Sequence, residues 1–178
     1  MIARRGDTAK VEEVREFLDT MDTMVRDLAR MGGKQTSDLL SFESIVLRLG
    51  RAWTAKARPH GLRKMQDKQC YRNSWRTLAS APGLRYVEGF AMSPYAGIPV
   101  AHAWCVNQRD EVIDPTWRDP EHCAYYGIVI PEDVLGCLMY LKRTYGFFGD
   151  IKLGMLIRNL GRLPTTEELQ RAYAEGEA

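Results

Sequence analysis

The sequence has no uninterrupted apolar run approaching the ~20 residues that a membrane span requires. Arg4 and Arg5 near its start are not followed by an apolar stretch, so a secretory leader is not expected either. Paired cysteines are missing too. Cys70, Cys105, Cys123 and Cys137 stand apart, without a CxxC spacing. In a chain with neither leader nor span they are expected to be the free thiols of a cytoplasmic protein. Charge of one sign is scarce: 25 Lys plus Arg against 23 Asp plus Glu leave +2, which is no basis for binding polyanions by bulk charge. Repeats and low-complexity tracts are absent. What is present is apolar material, 45% of 178 residues, enough for one packed domain and cramped for two.

Residues 9–31 place Val11, Val14, Leu18, Met21, Val25 and Leu28 at alternating spacings of three and four, the apolar stripe of an amphipathic helix stopped by Gly32-Gly33. The same spacing fits a short coiled-coil seam, but fewer than three heptads offer little to dimerise on, so packing on the chain's own core and a monomer are expected. A second helix, capped by Thr36 or Ser37, is predicted to carry Leu39, Phe42, Ile45, Val46, Leu49 and Trp53 and to fade near Lys56. Arg58-Pro59-His60-Gly61 breaks the pattern. A short helix is expected over residues 71–80, beginning close to Cys70 and closed by Ala81-Pro82-Gly83.

Strand-like runs follow at 84–91, 100–106, 112–117 and 125–130, with short connections that imply an antiparallel sheet. Pro131-Glu132-Asp133 opens another helix, reaching about Tyr145. Beyond Phe147 glycine and apolar residues mix, until Thr165-Thr166-Glu167-Glu168 caps a terminal helix. Helices at both ends and strands between them define an α+β chain. Its expected parts are an N-terminal helical segment (1–58) packed on the core, a core at 59–146, and a C-terminal helical extension (147–178).

Cys70 is the first candidate for chemistry, because the free amides and partial positive charge of a helix N-terminus stabilise a thiolate. The alternative is a buried structural thiol. The balance changes with Val100-Ala101-His102-Ala103-Trp104-Cys105-Val106 and Val112-Ile113-Asp114-Pro115, two strands joined by residues 107–111. On the first strand His102 shares a face with Trp104 and Val106, while Cys105 points the other way. A connection of odd length puts Asp114 on the face of His102. With a three-residue loop, opposed positions sum to 216 and the two residues stand directly across from each other. An even loop would put Asp114 on the wrong face. Cysteine, histidine and aspartate in that order supply the nucleophile, base and orienting acid of covalent acyl chemistry. A backbone-satisfied strand histidine and a turn aspartate are the alternatives. The scheme requires neither metal nor organic cofactor.

His102-Ala103-Trp104 and Ile113-Asp114-Pro115-Thr116, downstream of a helix-borne Cys70, resemble the motifs of the transglutaminase-like superfamily in residue type and order. Cys70-Tyr71-Arg72-Asn73-Ser74 and Tyr86-Val87-Glu88-Gly89-Phe90-Ala91 also resemble small bacterial and phage proteins related to that superfamily. The likeness spans residues 69–130. It implies a papain-like core in which the cysteine helix packs against an antiparallel sheet. It also implies a thiol hydrolase or acyltransferase acting on a protein, peptide or small acyl substrate in a bacterial or phage-infected cell. Peptide hydrolysis, deamidation, crosslinking and acyl transfer all fall within it.

Such chemistry needs an oxyanion hole, and the Cys70 amide is the natural first donor. Gln69 and Gln66 are candidates for the second, with ordinary surface glutamines as the alternative. Trp104 is a candidate wall of the site or a plain core tryptophan. Zinc on His102, Cys105, His122 and Cys123 is not expected, since strand alternation turns Cys105 away from His102. Residues 48–76 hold nine Lys or Arg and one acid, Asp67. That stretch is a candidate surface for an anionic substrate, a nucleotide-bearing acyl donor or nucleic acid, or else a solvated face. The competing functional class is a non-catalytic module of the same fold that binds a nucleic acid or protein there.

Overall fold

The computed structural model describes residues 5–33 and 41–174. Helix α1 (Arg5–Met31) follows the predicted stripe, with Val14 and Leu18 fully buried against the chain's own core. Burial of two such side chains contributes roughly 1.5–3 kcal/mol each. Helix α2 (Phe42–Leu49) is capped by the Ser41 hydroxyl, which accepts the Ser44 amide; the expected caps Thr36 and Ser37 lie outside the described residues.

The second helix does not run to Lys56 or carry Trp53. It stops at Leu49, where the Gly50 amide bonds the Val46 carbonyl, and the chain turns into strand β1 (Arg51–Trp53). The reason is close backbone approach. A Cβ on Gly50 would stand 2.4 Å from the Val46 oxygen and 3.2 Å from Gly127 backbone, so only glycine lets the strand begin there.

After helix α3 (Cys70–Ser80) come β2 (Arg85–Met92), β3 (Val100–Val106), β4 (Val112–Ile113) and β5 (Ala124–Ile130). With β1 they form one antiparallel sheet in the order β1-β5-β2-β3-β4. The expected strand 112–117 is shorter than its pattern: pairing ends at Ile113, and Asp114-Pro115 turns the chain away, because proline cannot donate to the ladder.

The pleat sorts the sheet into two faces. Tyr86, Glu88, Phe90, Ala103 and Cys105 face the helices, including α4 (Glu132–Lys142) and α6 (Thr166–Ala174). Val87, Ala91, Trp104, Val106 and Tyr125 face the other way and pack with Trp53, Val112 and Cys123. One helix was not expected: α5 (Ile151–Leu160), capped by Asp150 accepting the Leu153 amide and ended by Gly161 at φ 66°.

On the helical face, Glu88 is fully buried and accepts hydrogen bonds from the Tyr86 hydroxyl and from the amides of Phe147 and Phe148. It thereby ties the segment after α4 to the middle of the sheet. Burial pushes this carboxyl up to about 7, against the lowering effect of its three donors.

Candidate active site

Cys70 is the first residue of α3. The first helical bond runs from the Asn73 amide to the Gln69 carbonyl, 2.8 Å, so the amides of Cys70, Tyr71 and Arg72 precede the ladder. Lys68, at φ 62°, reverses the chain just before the helix. Two bonds seat α3 along β3: the Ser74 hydroxyl donates to the Ala103 carbonyl (2.9 Å) and the Cys105 thiol to the Ser74 carbonyl (3.2 Å). The residue next to His102 thus anchors the helix one turn from Cys70.

His102 and Asp114 are both buried, and Nε2 of the ring lies 2.8 Å from Oδ2 of the acid. The connection between their strands is odd, five residues, as the face argument requires. The register is not the directly opposed one. Cys105 pairs with Ile113 and Val106 with Val112, so opposed positions sum to 218 rather than 216. Continuing that register sets Asp114 across from Trp104 and diagonal to His102, on the shared face and within reach.

Asp114 is fully satisfied. Its Oδ1 accepts the amides of Thr116 (2.7 Å) and Trp117 (3.2 Å), an Asx turn; its Oδ2 accepts from His102 and from the Tyr125 hydroxyl (2.9 Å). The turn is held from outside by Arg58, whose guanidinium donates to the carbonyls of Asp114 (3.1 Å) and Trp117, and by the Met65 amide on Pro115 O (2.7 Å). Asn73, one turn along α3 from Cys70, donates to Thr116 Oγ1 (3.1 Å) and Gln66 O (2.7 Å). One buried side chain therefore joins the cysteine helix to the aspartate turn.

Aromatic rings enclose the imidazole. Trp117 stacks on it at 4.2 Å between centroids and 20° between planes; Trp104 lies at 6.1 Å and Tyr125 at 6.4 Å. Tyr125, Trp117, Asn73 and Arg58 were not singled out from sequence. An aromatic three residues past a candidate acid was the available sign for Trp117; nothing local marks the other three.

The electrostatics follow from these contacts. Burial works against charge on His102, but the Asp114 carboxylate, and a hydrogen bond and charge from the Cys70 sulfur, outweigh it and raise the ring to about 9. Since Nε2 is taken by Asp114, Nδ1 is the nitrogen left for Cys70. Burial likewise opposes charge on Asp114, and His102 with the two turn amides overcomes it, keeping the carboxyl below its ordinary value. Burial pushes the thiols of Cys105 and Cys123 up to about 12, and that of Cys137 upward.

The remaining candidates are dispersed. Gln69 is half-buried and its Oε1 accepts from Arg72 (3.3 Å), while the Gln66 side chain is exposed. Trp104 is wholly buried, with its Nε1 unpartnered among the described residues. Among those residues no three of His, Cys, Asp and Glu gather as a metal site would need. In the basic stretch Arg51 pairs with Asp110, Lys56 with Glu111 and Lys64 with Asp67, and Arg58 serves the aspartate turn. Arg63, Lys68 and Arg76 are exposed. No described helix is long and apolar enough to cross a membrane.

No family model, no curated protein and no solved structure matches this chain.

Proposed function

We propose that this chain is a thiol-dependent acyl-transfer enzyme with a papain-like, transglutaminase-like core, in which Cys70 is the nucleophile, His102 the acid-base and Asp114 the residue that orients it. The observation that carries the reading is the buried His102–Asp114 hydrogen bond beside a cysteine at a helix start, whose sulfur is near enough to raise the ring. In a structural role a buried His-Asp pair has no need of a thiol beside it.

His102 takes the Cys70 thiol proton, and attack by Sγ on an amide or thioester carbonyl forms the C–S bond and moves the carbonyl π electrons onto oxygen, where the helix-start amide of Cys70 is the candidate donor to the charge. Collapse breaks the bond to the leaving amine or thiol, which takes a proton from His102, and leaves an acyl-enzyme. Water or an amine then attacks the thioester while His102 accepts its proton, and Cys70 is released. Asp114 stays ionised throughout, which fixes the ring's orientation and favours the imidazolium.

Iodoacetamide at neutral pH tests this reading. Cys70 is expected to be alkylated at least about a hundredfold faster than Cys105, Cys123 or Cys137, whose thiols are held protonated, and His102→Ala is expected to remove the advantage. Equal, slow labelling of all four overturns the proposal.

A further inference from the structure

A cavity of about 430 Å³ adjoins the triad without belonging to it, and its size is within the roughly 300–1,000 Å³ of small-molecule sites. Its walls come from three loops at one end of the sheet. Lys64 and Asp67 lie on the segment running into Cys70, Ser93 and Tyr95 on the β2–β3 connection, and Trp117, Arg118, Asp119 and Cys123 on the β4–β5 connection. Asp67 is three residues from Cys70 and Trp117 three from Asp114, so neither pair of Cα atoms is more than about 11 Å apart. Trp117 is the shared wall, since its ring also stacks on His102.

The charges of this cavity are two of each sign, and they do not all cancel internally. Lys64 is paired with Asp67. Asp119 accepts the Tyr95 hydroxyl on Oδ2 (2.9 Å), which leaves Oδ1 and the negative charge unspent. Among the described residues no carboxylate lies within ion-pair distance of Arg118, and the adjacent Asp119 does not pair with it. The nearby Lys10 ammonium is occupied by the His122 carbonyl (3.0 Å). What remains on offer is one guanidinium and one carboxylate, neighbours in sequence, beside an indole face, with the Tyr95 ring tethered at the rim despite being 78% exposed.

A ligand of single charge would satisfy one of those groups and oppose the other. We infer that this cavity binds a small zwitterion, a free α-amino acid with its carboxylate on Arg118, its ammonium on Asp119 and its side chain on Trp117. The guanidinium presents the forked donors a carboxylate matches. The two aromatic rings favour both an ammonium and an apolar side chain.

Calorimetric titration with L-phenylalanine, N-acetyl-L-phenylalanine and L-phenylalanine amide tests this directly, whether or not Cys70 proves reactive. The free amino acid is expected to bind about tenfold more tightly than either capped form, the scale of one charge-assisted hydrogen bond. Arg118→Gln should remove the advantage of phenylalanine over the amide, with the amide binding no more weakly than before because the guanidinium that opposed its ammonium is gone. Asp119→Asn should remove the advantage over the N-acetyl form, with that form binding no more weakly than before. The ligand that keeps its affinity in each case reports that the cavity is intact. Equal affinities for the three compounds, no binding of any, or an N-acetyl form that binds as tightly as the free amino acid overturns the inference; the last result marks an anion site instead.

Discussion

Asp114 has four hydrogen-bond partners and no spare oxygen, and each half of the carboxylate does a different job. Oδ1 shapes the turn, while Oδ2 holds the ring. In Asp114→Asn the amide oxygen can keep the turn, but an NH2 group then faces His102 Nε2, which must become the acceptor and carry its proton on Nδ1 instead. Against Cys70 that tautomer cannot serve as a base. We expect the acylation burst with p-nitrophenyl acetate to slow by roughly 10³–10⁴-fold while the circular dichroism spectrum is unchanged. His102 itself makes stability depend on pH. Its folded value near 9 lies above the ordinary 6.5, so between them the folded chain holds a proton that the unfolded chain releases. The stabilisation is complete below about 6.5 and is lost as pH rises through about 9. Unfolding free energies from urea titrations should fall between pH 7 and 10 by on the order of 2–3 kcal/mol more than those of His102→Gln over the same range. Glu88, near 7, and the thiols of Cys105 and Cys123, near 12, titrate alike in both proteins and cancel in that difference.

At the scale of elements, the β3–β4 connection decides which face Asp114 occupies. Its five residues are held by Asn107, whose side-chain oxygen accepts the amides of Arg109 (2.9 Å) and Glu111 (3.1 Å), with Asp110 at φ 61°. Deleting Arg109 makes the loop even and turns Asp114 away from His102. Deleting Gln108 and Arg109 together restores the odd count. The single deletion is expected to abolish the p-nitrophenyl acetate burst and the double deletion to recover a measurable part of it; the same loss in both would mean that loop damage, and not parity, is responsible. Glu88 plays a comparable part for the segment after α4. Glu88→Ala leaves the buried Phe147 amide, the half-buried Phe148 amide and the Tyr86 phenol without their acceptor, and urea unfolding should show a loss of about 3 kcal/mol.

At the scale of the molecule, the sheet is a divider between the helical core and the aromatic layer in which His102 and Asp114 sit. The nucleophile comes from a helix on the first side. Every helix that braces the first side therefore bears on the triad. Helix α1 covers β5 and β2 through Val14 and Leu18, fully buried in the same cluster as Phe90 and Leu138. Removing residues 1–33 is expected to give a chain that binds anilinonaphthalene sulfonate and lacks dispersed amide resonances, not a smaller folded monomer. Charge is also balanced at this scale: Asp110 and Glu111, remote in sequence from the basic stretch, take Arg51 and Lys56 from it, and Asp110 takes Arg85 as well.

Read alone, the sequence determined what depends on near neighbours. It was enough for the stripe of α1, the start of α3 at Cys70, the extent of β3, the helix after Pro131, and the condition that an odd connection puts His102 and Asp114 on one face, while the register itself came from the fold. These are periodicities and caps, set by bonds within a few residues. Asp150 and Gly161 marked the two ends of α5 just as plainly, but the glycines between and around them obscured the helix. Long-range approach decided the rest. Gly50 meets the Val46 oxygen within its own helix and, 77 positions later, the backbone of Gly127, and it is the pairing of the following residues with β5 that takes Trp53 into the sheet. Likewise Tyr125, Arg58 and Asn73 meet the aspartate turn only after the chain has folded. A hydrogen bond between distant residues costs loop-closure entropy that no local pattern encodes, so only the tertiary structure shows which side chains surround the imidazole.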